Sequence, residues 1–214
     1  MKALVIGATG AAGKDLVQVL LQDPEYTQVT IFVRRSTGNA HPKLVEILTD
    51  FDKMENVSSF VQGDVLFSCL GTTLKAAGSK ESQWHIDYEI PAGFAEIAKQ
   101  NGDSKTVLLS AYGASASSKI FYSKVKGTLE DKIINLSFHQ CIIFRPGLLL
   151  RKNTDRAGER ISAAVLRFLN SLGILRKFRP MPTLVLAQKM ARAPKVLPNG
   201  MQVIELNKIF NLPF

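Results

Sequence analysis

Three glycines near the start of the chain, Gly7, Gly10 and Gly13, restrict the possible folds more than any other residues do. The run before them, 2–6, is short, apolar and rich in β-branched residues, which is typical of a strand buried on both faces. After them, apolar residues recur at helical spacing until Asp23, which precedes a proline. Strand, glycine turn and helix follow each other in this order where a parallel α/β sheet binds a dinucleotide.

Each glycine of this turn has its own role in holding a phosphate. Gly7 allows the tight exit from the strand, Gly10 lets the backbone approach the phosphates, and Gly13 lets the helix pack closely on the sheet. The pattern predicts a pyrophosphate site at Gly7, Thr9, Gly10, Ala11, Ala12 and Gly13. A glycine turn without a ligand is the alternative, while a P-loop is excluded because no Ser or Thr follows Lys14.

Strand-like and helix-like segments alternate along most of the chain. Apolar runs predict strands at 29–33, 44–48, 65–70, 106–110 and 140–145. Helical periodicity predicts helices at 11–23, 54–61, 82–101 and 118–136, the third being bent or starting near Pro91. Short connections between such elements indicate an α/β, Rossmann-like, doubly wound fold, in which helices cover both faces of a parallel sheet.

The chain as a whole, 1–214, fits a single NAD(P)-binding Rossmann domain, because no linker and no internal repeat is evident. Beyond Pro146 the periodicity weakens, and it predicts helices at 157–171 and 184–193 and a last strand at 202–206. We expect residues 150–200 to cap the carboxyl edge of the sheet and to shape the substrate pocket.

Arg34 and Arg35 follow the second predicted strand, where such folds usually place an acidic residue for the ribose 2'-hydroxyl. Guanidinium groups suit a 2'-phosphate through charge-assisted, forked hydrogen bonds, so the cofactor is predicted to be NADP. The alternative is that one or both arginines only solvate the turn. After the third strand, Asp50 and Phe51 are predicted to hold the adenine by a hydrogen bond and an apolar contact.

Tyr122 and Lys126 lie four residues apart in a segment of helical pattern, so their side chains project from one helix face. Ser110 ends the preceding strand, and the carboxyl ends of parallel strands line the ligand crevice. A nearby ammonium lowers the pKa of a tyrosine from about 10 by favouring the phenolate. We predict that Tyr122 protonates a carbonyl oxygen during hydride transfer, that Ser110 orients this oxygen, and that Lys126 also binds the nicotinamide ribose. The alternative is an exposed pair without a catalytic role.

Six short segments carry a resemblance to a known family: Gly7–Gly13, Arg34-Arg35, Asp50-Phe51, 69–73, 122–127 and 144–149. With them, nearly the whole chain resembles the atypical short-chain dehydrogenase/reductases, in the branch of the Tat-interacting oxidoreductase and small bacterial relatives. The resemblance implies a Rossmann fold that binds NADP(H). It also implies cofactor contacts, near the ribose for Leu70, Gly71 and Thr72 and beside the nicotinamide for Pro146, Gly147, Leu148 and Leu149.

The resemblance also implies a difference in the proton relay. The relay asparagine of typical members is not evident, and Asp87 lies in roughly the corresponding helix. Flanking helices commonly pair two chains in this superfamily, so a homodimer stays open by analogy.

The net charge of +9 lies in one late segment, 151–195, which holds 11 Lys and Arg against 2 Asp and Glu. Its basic cluster consists of Arg151, Lys152, Arg156, Arg160, Arg167, Arg176, Lys177 and Arg179. Such a cluster attracts phosphates, acidic lipids or anionic substrates. Because no interleaved aromatic platform accompanies it, a solvated basic face is favoured and no nucleic acid partner is expected.

The longest apolar runs are far shorter than the roughly 20 residues that span a bilayer, so no transmembrane segment is expected. The first residues have the pattern of neither a signal peptide nor a transit sequence, and the expected location is therefore cytoplasmic. Cys69 and Cys141 lie in predicted strands among apolar neighbours, which favours buried reduced thiols, and no metal site is predicted.

Together the motifs predict an NADP(H)-dependent oxidoreductase. Its partner would be a small organic molecule, either a carbonyl compound that is reduced or the matching alcohol that is oxidised. The alternative is a protein of the same fold that holds NADP(H) as a sensor or scaffold with negligible turnover, which the missing asparagine favours.

Overall fold

The computed structural model describes residues 1–150 and 179–214. The strands within these ranges are β1 (Lys2–Ile6), β2 (Gln28–Val33), β3 (Leu44–Leu48), β4 (Val65–Ser68), β5 (Lys105–Leu109), β6 (Gln140–Arg145), β7 (Leu149–Leu150), β8 (Met181–Pro182) and β9 (Gly200–Glu205). Seven of them form one parallel sheet in the order β3-β2-β1-β4-β5-β6-β9. β7 and β8 form a separate parallel pair.

The helices of the described ranges connect these strands. They are α1 (Ala11–Gln22), a 3₁₀ helix (Met54–Phe60), α2 (Leu74–Ala77), α3 (Lys80–Trp84), a π turn (His85–Glu89), α4 (Ile90–Gln100), α5 (Phe121–Asn135), α6 (Thr183–Val196) and α7 (Asn207–Phe210). The predicted Rossmann-like fold is confirmed. Among these described helices, none combines the length and the apolar composition that a bilayer crossing demands.

Helices cover both faces of the sheet because successive residues of a strand point to opposite faces. On one face Val5 packs in a core with Leu16 of α1 and Met190 of α6. On the other face Leu4 packs in a core with Phe94 of α4. All five side chains are at most 1% exposed. Burial on both faces explains why the central strands are continuous apolar runs in the sequence.

The segment after residue 179 differs from the predicted cap. α6 packs against α1 on one face of the sheet, and the Tyr26 hydroxyl donates a hydrogen bond to the Ala191 carbonyl over 2.7 Å. β9 pairs with β6 and extends the sheet. The apolar face of α6 is thus buried against a neighbouring helix, and most of 179–205 flanks the sheet. The rest of the predicted cap, 151–178, lies outside the described residues, as do the predicted helix at 157–171 and most of the basic cluster.

The predicted helix at 82–101 is divided by a π turn. The Ile90 amide donates to the His85 carbonyl, five residues back. Pro91 follows directly and has no amide to donate, so the wider turn fits the sequence. Other boundaries also differ from the prediction by one to three residues; for example, β4 ends at Ser68 and α5 begins at Phe121. The π turn carries Asp87 into the interior of the protein.

Two glycines of the first turn allow a close backbone contact. Gly7 has a φ of 78°, and a Cβ added to it would lie 2.5 Å from the carbonyl carbon of Cys69. A Cβ added to Gly13 would lie 2.1 Å from the Gly7 carbonyl oxygen. Gly10 differs, because its φ is −72° and its added Cβ would lie 3.3 Å from the same oxygen. Gly7 and Gly13 are therefore required by packing, whereas Gly10 is not.

We expect Gly13→Ala to lower the free energy of unfolding by about 2–4 kcal/mol, because the added methyl group meets backbone that cannot move aside. Gly10→Ala serves as the matched control, with an expected loss below about 1 kcal/mol. Urea unfolding followed by circular dichroism measures both values. Equal losses in the two variants would contradict the packing role of Gly13.

Candidate active site

The glycine turn places the start of α1 at the carboxyl edge of the sheet. Gly10 N donates to Gly7 O over 3.0 Å, and Lys14 N donates to Gly10 O over 2.8 Å. Helical bonding therefore starts at Lys14, and the amides of Ala11 and Ala12 precede it. The twelve-residue helix also brings the positive end of its dipole to this turn. The turn thus offers amide donors and partial positive charge to an anion.

A cavity of about 250 Å³ lies beside this turn. Its lining brings together residues from the glycine turn, the segment after β4, α2, the end of β5, the first turns of α5, β7 and the start of α6: Gly10, Ala11, Ala12, Cys69, Leu70, Gly71, Thr72, Thr73, Ala76, Leu109, Ser110, Tyr122, Lys126, Leu149 and Thr183. The three predicted catalytic residues, Ser110, Tyr122 and Lys126, thus share one cavity. Tyr122 is 40% exposed, so a bound substrate has access to its ring.

The four residues that the resemblance places beside the nicotinamide are not all in this cavity. Leu149 lines it. The Pro146 carbonyl accepts from Tyr112 N over 3.0 Å, and the Leu148 carbonyl accepts from Met181 N over 2.9 Å. Gly147 packs beside Leu206, whose Cδ2 would lie 3.2 Å from an added Cβ. These three residues are not among those that line the cavity.

Lys126 is almost fully buried at the base of this cavity, with 2% of its surface exposed. Its Nζ donates to the Leu70 carbonyl over 3.0 Å and lies 3.3 Å from where a Cβ of Gly71 would be. Burial lowers the pKa of Lys126, and the nearby groups Asp87, Cys69 and Glu130 oppose this change. The Lys126 side chain is therefore buried in the lining of the same cavity that Tyr122 lines.

Asp87 is a buried carboxylate that the sequence interpretation did not place in the site. It is fully buried, and its Oδ1 accepts from Thr72 N over 2.7 Å. Its Oδ2 has no hydrogen-bond partner within the described part of the chain. Burial raises the pKa of Asp87, and the charge of Lys126 together with the Thr72 amide works against the rise. Asp87 and Lys126 thus fix the two ends of the segment 70–72.

Ser110 belongs to a buried network of charges. Its Oγ donates to Glu130, which lies one turn after Lys126 on α5. Arg145 Nε donates to both carboxylate oxygens of Glu130 over 3.0 and 3.1 Å, and Arg145 Nη1 donates to Glu205 Oε1 over 2.7 Å. Hydrogen bonds to Glu130, followed by those to Glu205, raise the pKa of Arg145 further above its usual value. The network joins the carboxyl ends of β5, β6 and β9 to α5.

A second cavity, of about 890 Å³, lies on the other side of the glycine turn. The residues that line it are Ala8, Thr9, Lys14, Asp15, Val17, Gln18, Ile31, Arg34, Arg35, Ser36, Thr37 and Asn39. Glu46 on β3 orders the adjacent loop, because Ser36 Oγ donates to it over 2.7 Å and the Thr37 hydroxyl donates to it as well. These bonds, that of Thr37 first, lower the pKa of Glu46. Three cationic side chains, those of Lys14, Arg34 and Arg35, thus line this cavity next to the glycine turn.

A third cavity, of about 910 Å³, contains both residues that were predicted to hold an adenine. Asp50 and Phe51 line it together with Arg34, which also lines the second cavity. The Phe51 ring lies 5.8 Å from the Phe94 ring, so the core holds it in place. At the margin, His85 Nε2 lies 3.0 Å from Asp52 Oδ1. The shared arginine makes the two cavities neighbours.

The sequence interpretation named Asp87 only as lying near the position of the missing relay asparagine, and it did not place Glu130 or Arg145 in the site. A carboxylate in an apolar helical stretch just before Pro91 was the available signal for Asp87.

Both cysteines are free thiols, and Cys69 lies one residue beyond β4. Within the two described ranges, no three His, Cys, Asp or Glu side chains are grouped as metal ligands.

Comparison with known proteins identifies relatives that match more than three quarters of the chain. A family model described as semialdehyde dehydrogenase, NAD binding domain, matches residues 2–81, which include the glycine turn. Protein FMP52, mitochondrial, of Candida albicans is 39% identical over 172 residues, which cover 77% of this chain and 75% of that protein. Protein HTATIP2 of Rattus norvegicus is 35% identical over 173 residues, which cover 78% and 70% of the two chains.

Solved structures share the fold at low identity. A short-chain dehydrogenase/reductase superfamily protein from Agrobacterium tumefaciens with bound NAD has a TM-score of 0.74 and 13% identity, and the match covers 96% of this chain and 77% of that chain. UDP-glucose 4-epimerase from Thermotoga maritima has a TM-score of 0.72 and 13% identity, with coverages of 99% and 81%. These likenesses establish a Rossmann-like fold of the kind found in short-chain dehydrogenases/reductases.

The predicted cytoplasmic location is wrong. The FMP52 relatives from Candida albicans, Eremothecium gossypii and Saccharomyces cerevisiae are named as mitochondrial proteins. The apolar first segment forms β1, and its composition reflects its burial in the sheet. This composition gives no information about the cellular compartment of the protein.

Asp87→Asn is expected to lower the pKa of Lys126, because it removes the negative charge that opposes the effect of burial and keeps an acceptor for Thr72 N. A ¹³C NMR titration of the lysine Cε resonances measures this pKa, with Lys126→Met for assignment. Glu89→Gln, which removes an exposed carboxylate from the same π turn, is the control. An unchanged or higher pKa of Lys126 in Asp87→Asn would refute the coupling.

Proposed function

We propose a function from one premise: the chain belongs to the atypical short-chain dehydrogenase/reductase family that contains HTATIP2 and the FMP52 proteins. On this premise the protein is an oxidoreductase that transfers a hydride between NADP(H) and a small organic substrate, reducing a carbonyl or oxidising the matching alcohol. The observation that carries the proposal is the cavity in which Tyr122 and Lys126 lie beside the glycine turn.

The protein's part in the reaction is to handle a proton. A bound nicotinamide dinucleotide supplies the hydride to the carbonyl carbon. The Tyr122 hydroxyl then gives its proton to the oxygen on which negative charge develops, and the phenolate regains a proton from solvent. Lys126 favours this transfer because its ammonium, in a dry site, stabilises the phenolate. In the direction of alcohol oxidation Tyr122 acts as the base.

A preference for NADP(H) over NAD(H) is supported by the charge of the second cavity. Arg34, Arg35 and Lys14 line it next to the phosphate turn, with Asp15 as the acidic side chain among the lining residues. A 2'-phosphate would find guanidinium donors there, whereas the 2'-hydroxyl of NAD would leave these charges without an anionic partner.

Tyr122→Phe is expected to reduce turnover by at least about 100-fold, because it removes the proton donor, while the affinity for NADPH stays nearly unchanged. Oxidation of NADPH with a panel of aldehydes, ketones and quinones measures turnover. Tyr112→Phe is the matched control, since Tyr112 is similarly exposed and does not line the cavity. Full turnover in Tyr122→Phe would overturn the catalytic assignment.

Arg34→Ala is expected to weaken the binding of NADPH by about tenfold or more and to change the binding of NADH little, because a charge-assisted hydrogen bond to the 2'-phosphate is lost. Fluorescence titration with each dinucleotide measures the two affinities. Lys208→Ala, which removes an exposed cation from α7 beside β9 at the opposite edge of the sheet, is the control. Equal losses for both dinucleotides would rule out the phosphate contact.

A second candidate is a protein that holds NADP(H) as a sensor or scaffold. It is favoured by Ser110, whose hydroxyl donates to Glu130 instead of into the cavity. In this case NADPH binds to the wild-type protein, and no member of the substrate panel is reduced.

A further inference from the structure

The Ser110 hydroxyl donates its hydrogen bond to another side chain of the protein. Arg145 donates to both carboxylate oxygens of Glu130, over 3.0 and 3.1 Å from Nε, so that the two side chains form an ion pair. An ionised carboxylate can only accept hydrogen bonds, so Ser110 is the donor in its contact with Glu130. A hydroxyl has one proton, and Ser110 therefore presents only lone pairs to the cavity that it lines.

The surroundings hold Ser110 in this orientation. Ser110 is 5% exposed and Glu130 is 2% exposed, so water competes weakly for either group. The backbone amide of Ser110 donates to the Phe144 carbonyl over 2.8 Å, which fixes the residue at the end of β5. A hydrogen bond to a charged acceptor is also about twice as strong as one between neutral groups.

We propose that Glu130 is a positioning residue that fixes Ser110 as a hydrogen-bond acceptor, so that the cavity selects substrates with a hydroxyl group beside the reacting carbonyl. This inference rests on the proposed function and names the substrate class of the same site. A carbonyl oxygen or an alkoxide has no proton and cannot donate a hydrogen bond to Ser110. Of Ser110 and Tyr122, only Tyr122 therefore donates a hydrogen bond to the oxygen of the reacting carbonyl. A neighbouring hydroxyl of the substrate can donate to Ser110.

The cavity combines this polar contact with apolar surface. Leu70, Leu109 and Leu149 supply apolar surface around Ser110 and Tyr122. A methyl ether in the place of the hydroxyl cannot donate, and it leaves the buried Ser110 lone pairs without a partner, which costs affinity.

The binding of hydroxyacetone and methoxyacetone tests the proposal, because the two ketones differ in the donor beside the carbonyl. The complex of Tyr122→Phe with NADPH is used, since hydride transfer is blocked there and dissociation constants can be measured by ligand-observed NMR. We expect hydroxyacetone to bind about five- to tenfold more tightly. Equal affinities, or no binding of either ketone, would overturn the inference.

Further variants in the same background test whether Ser110 and Glu130 cause the preference. Ser110→Ala is expected to abolish it, and Ser110→Thr, which keeps the hydroxyl, to retain it. Glu130→Gln is expected to reduce it, because the amide can donate to Ser110 and release the hydroxyl proton toward the cavity. Glu205→Gln removes the other carboxylate partner of Arg145 and should leave the preference unchanged.

Two of these variants have an outcome that contradicts the inference. A preference that survives in Ser110→Ala, or an unchanged preference in folded Glu130→Gln, would do so. Circular dichroism establishes folding, and the ratio of two affinities is insensitive to a uniform loss of active protein. Because binding is measured without turnover, an inactive wild-type protein would refute the proposed oxidoreductase while the ketone ratio still decides the role of Ser110.

Discussion

The contact of Gly13 with the Gly7 carbonyl is the constraint on which the rest of the structure depends. An added Cβ at Gly13 would lie 2.1 Å from that oxygen, so α1 can approach β1 this closely only without a side chain. The close approach places the first amides of α1 at the carboxyl edge of the sheet, next to the ends of β4 and β5. The proposed dinucleotide site and the proposed substrate site therefore share one edge of the sheet.

Buried charges organise the rest of that edge. Lys126 and Asp87 bind the backbone of the segment 70–72 from two sides. Glu130 and Arg145 connect α5 to the carboxyl ends of the neighbouring strands. Such groups are costly to bury, and each is offset by an opposite charge or a hydrogen bond. The result is a helix that presents a phenol and an ammonium in a fixed orientation to the cavity.

Local patterns in the sequence were sufficient for the fold and for the helix that carries Tyr122. Strand alternation, the glycine turn and the spacing to Lys126 depend on residues close together in the chain, where periodicity is informative. Asp87, the partner of Ser110 and the packing of α6 on α1 depend on distant residues, and periodicity does not report such contacts. The prediction of a cytoplasmic location was wrong because the apolar pattern of the first residues reflects the packing of β1 and does not indicate a cellular compartment. The cofactor preference, the substrate and the catalytic roles remain predictions.

A crystal structure of the protein with NADPH tests the central claim most directly. The account predicts a pyrophosphate on the amides of the glycine turn, and a nicotinamide ring whose reactive carbon leaves room for a substrate about 3–3.5 Å away, within hydrogen-bond reach of the Tyr122 hydroxyl. A turn without bound phosphate at saturating NADPH, or a nicotinamide ring remote from Tyr122, would contradict it.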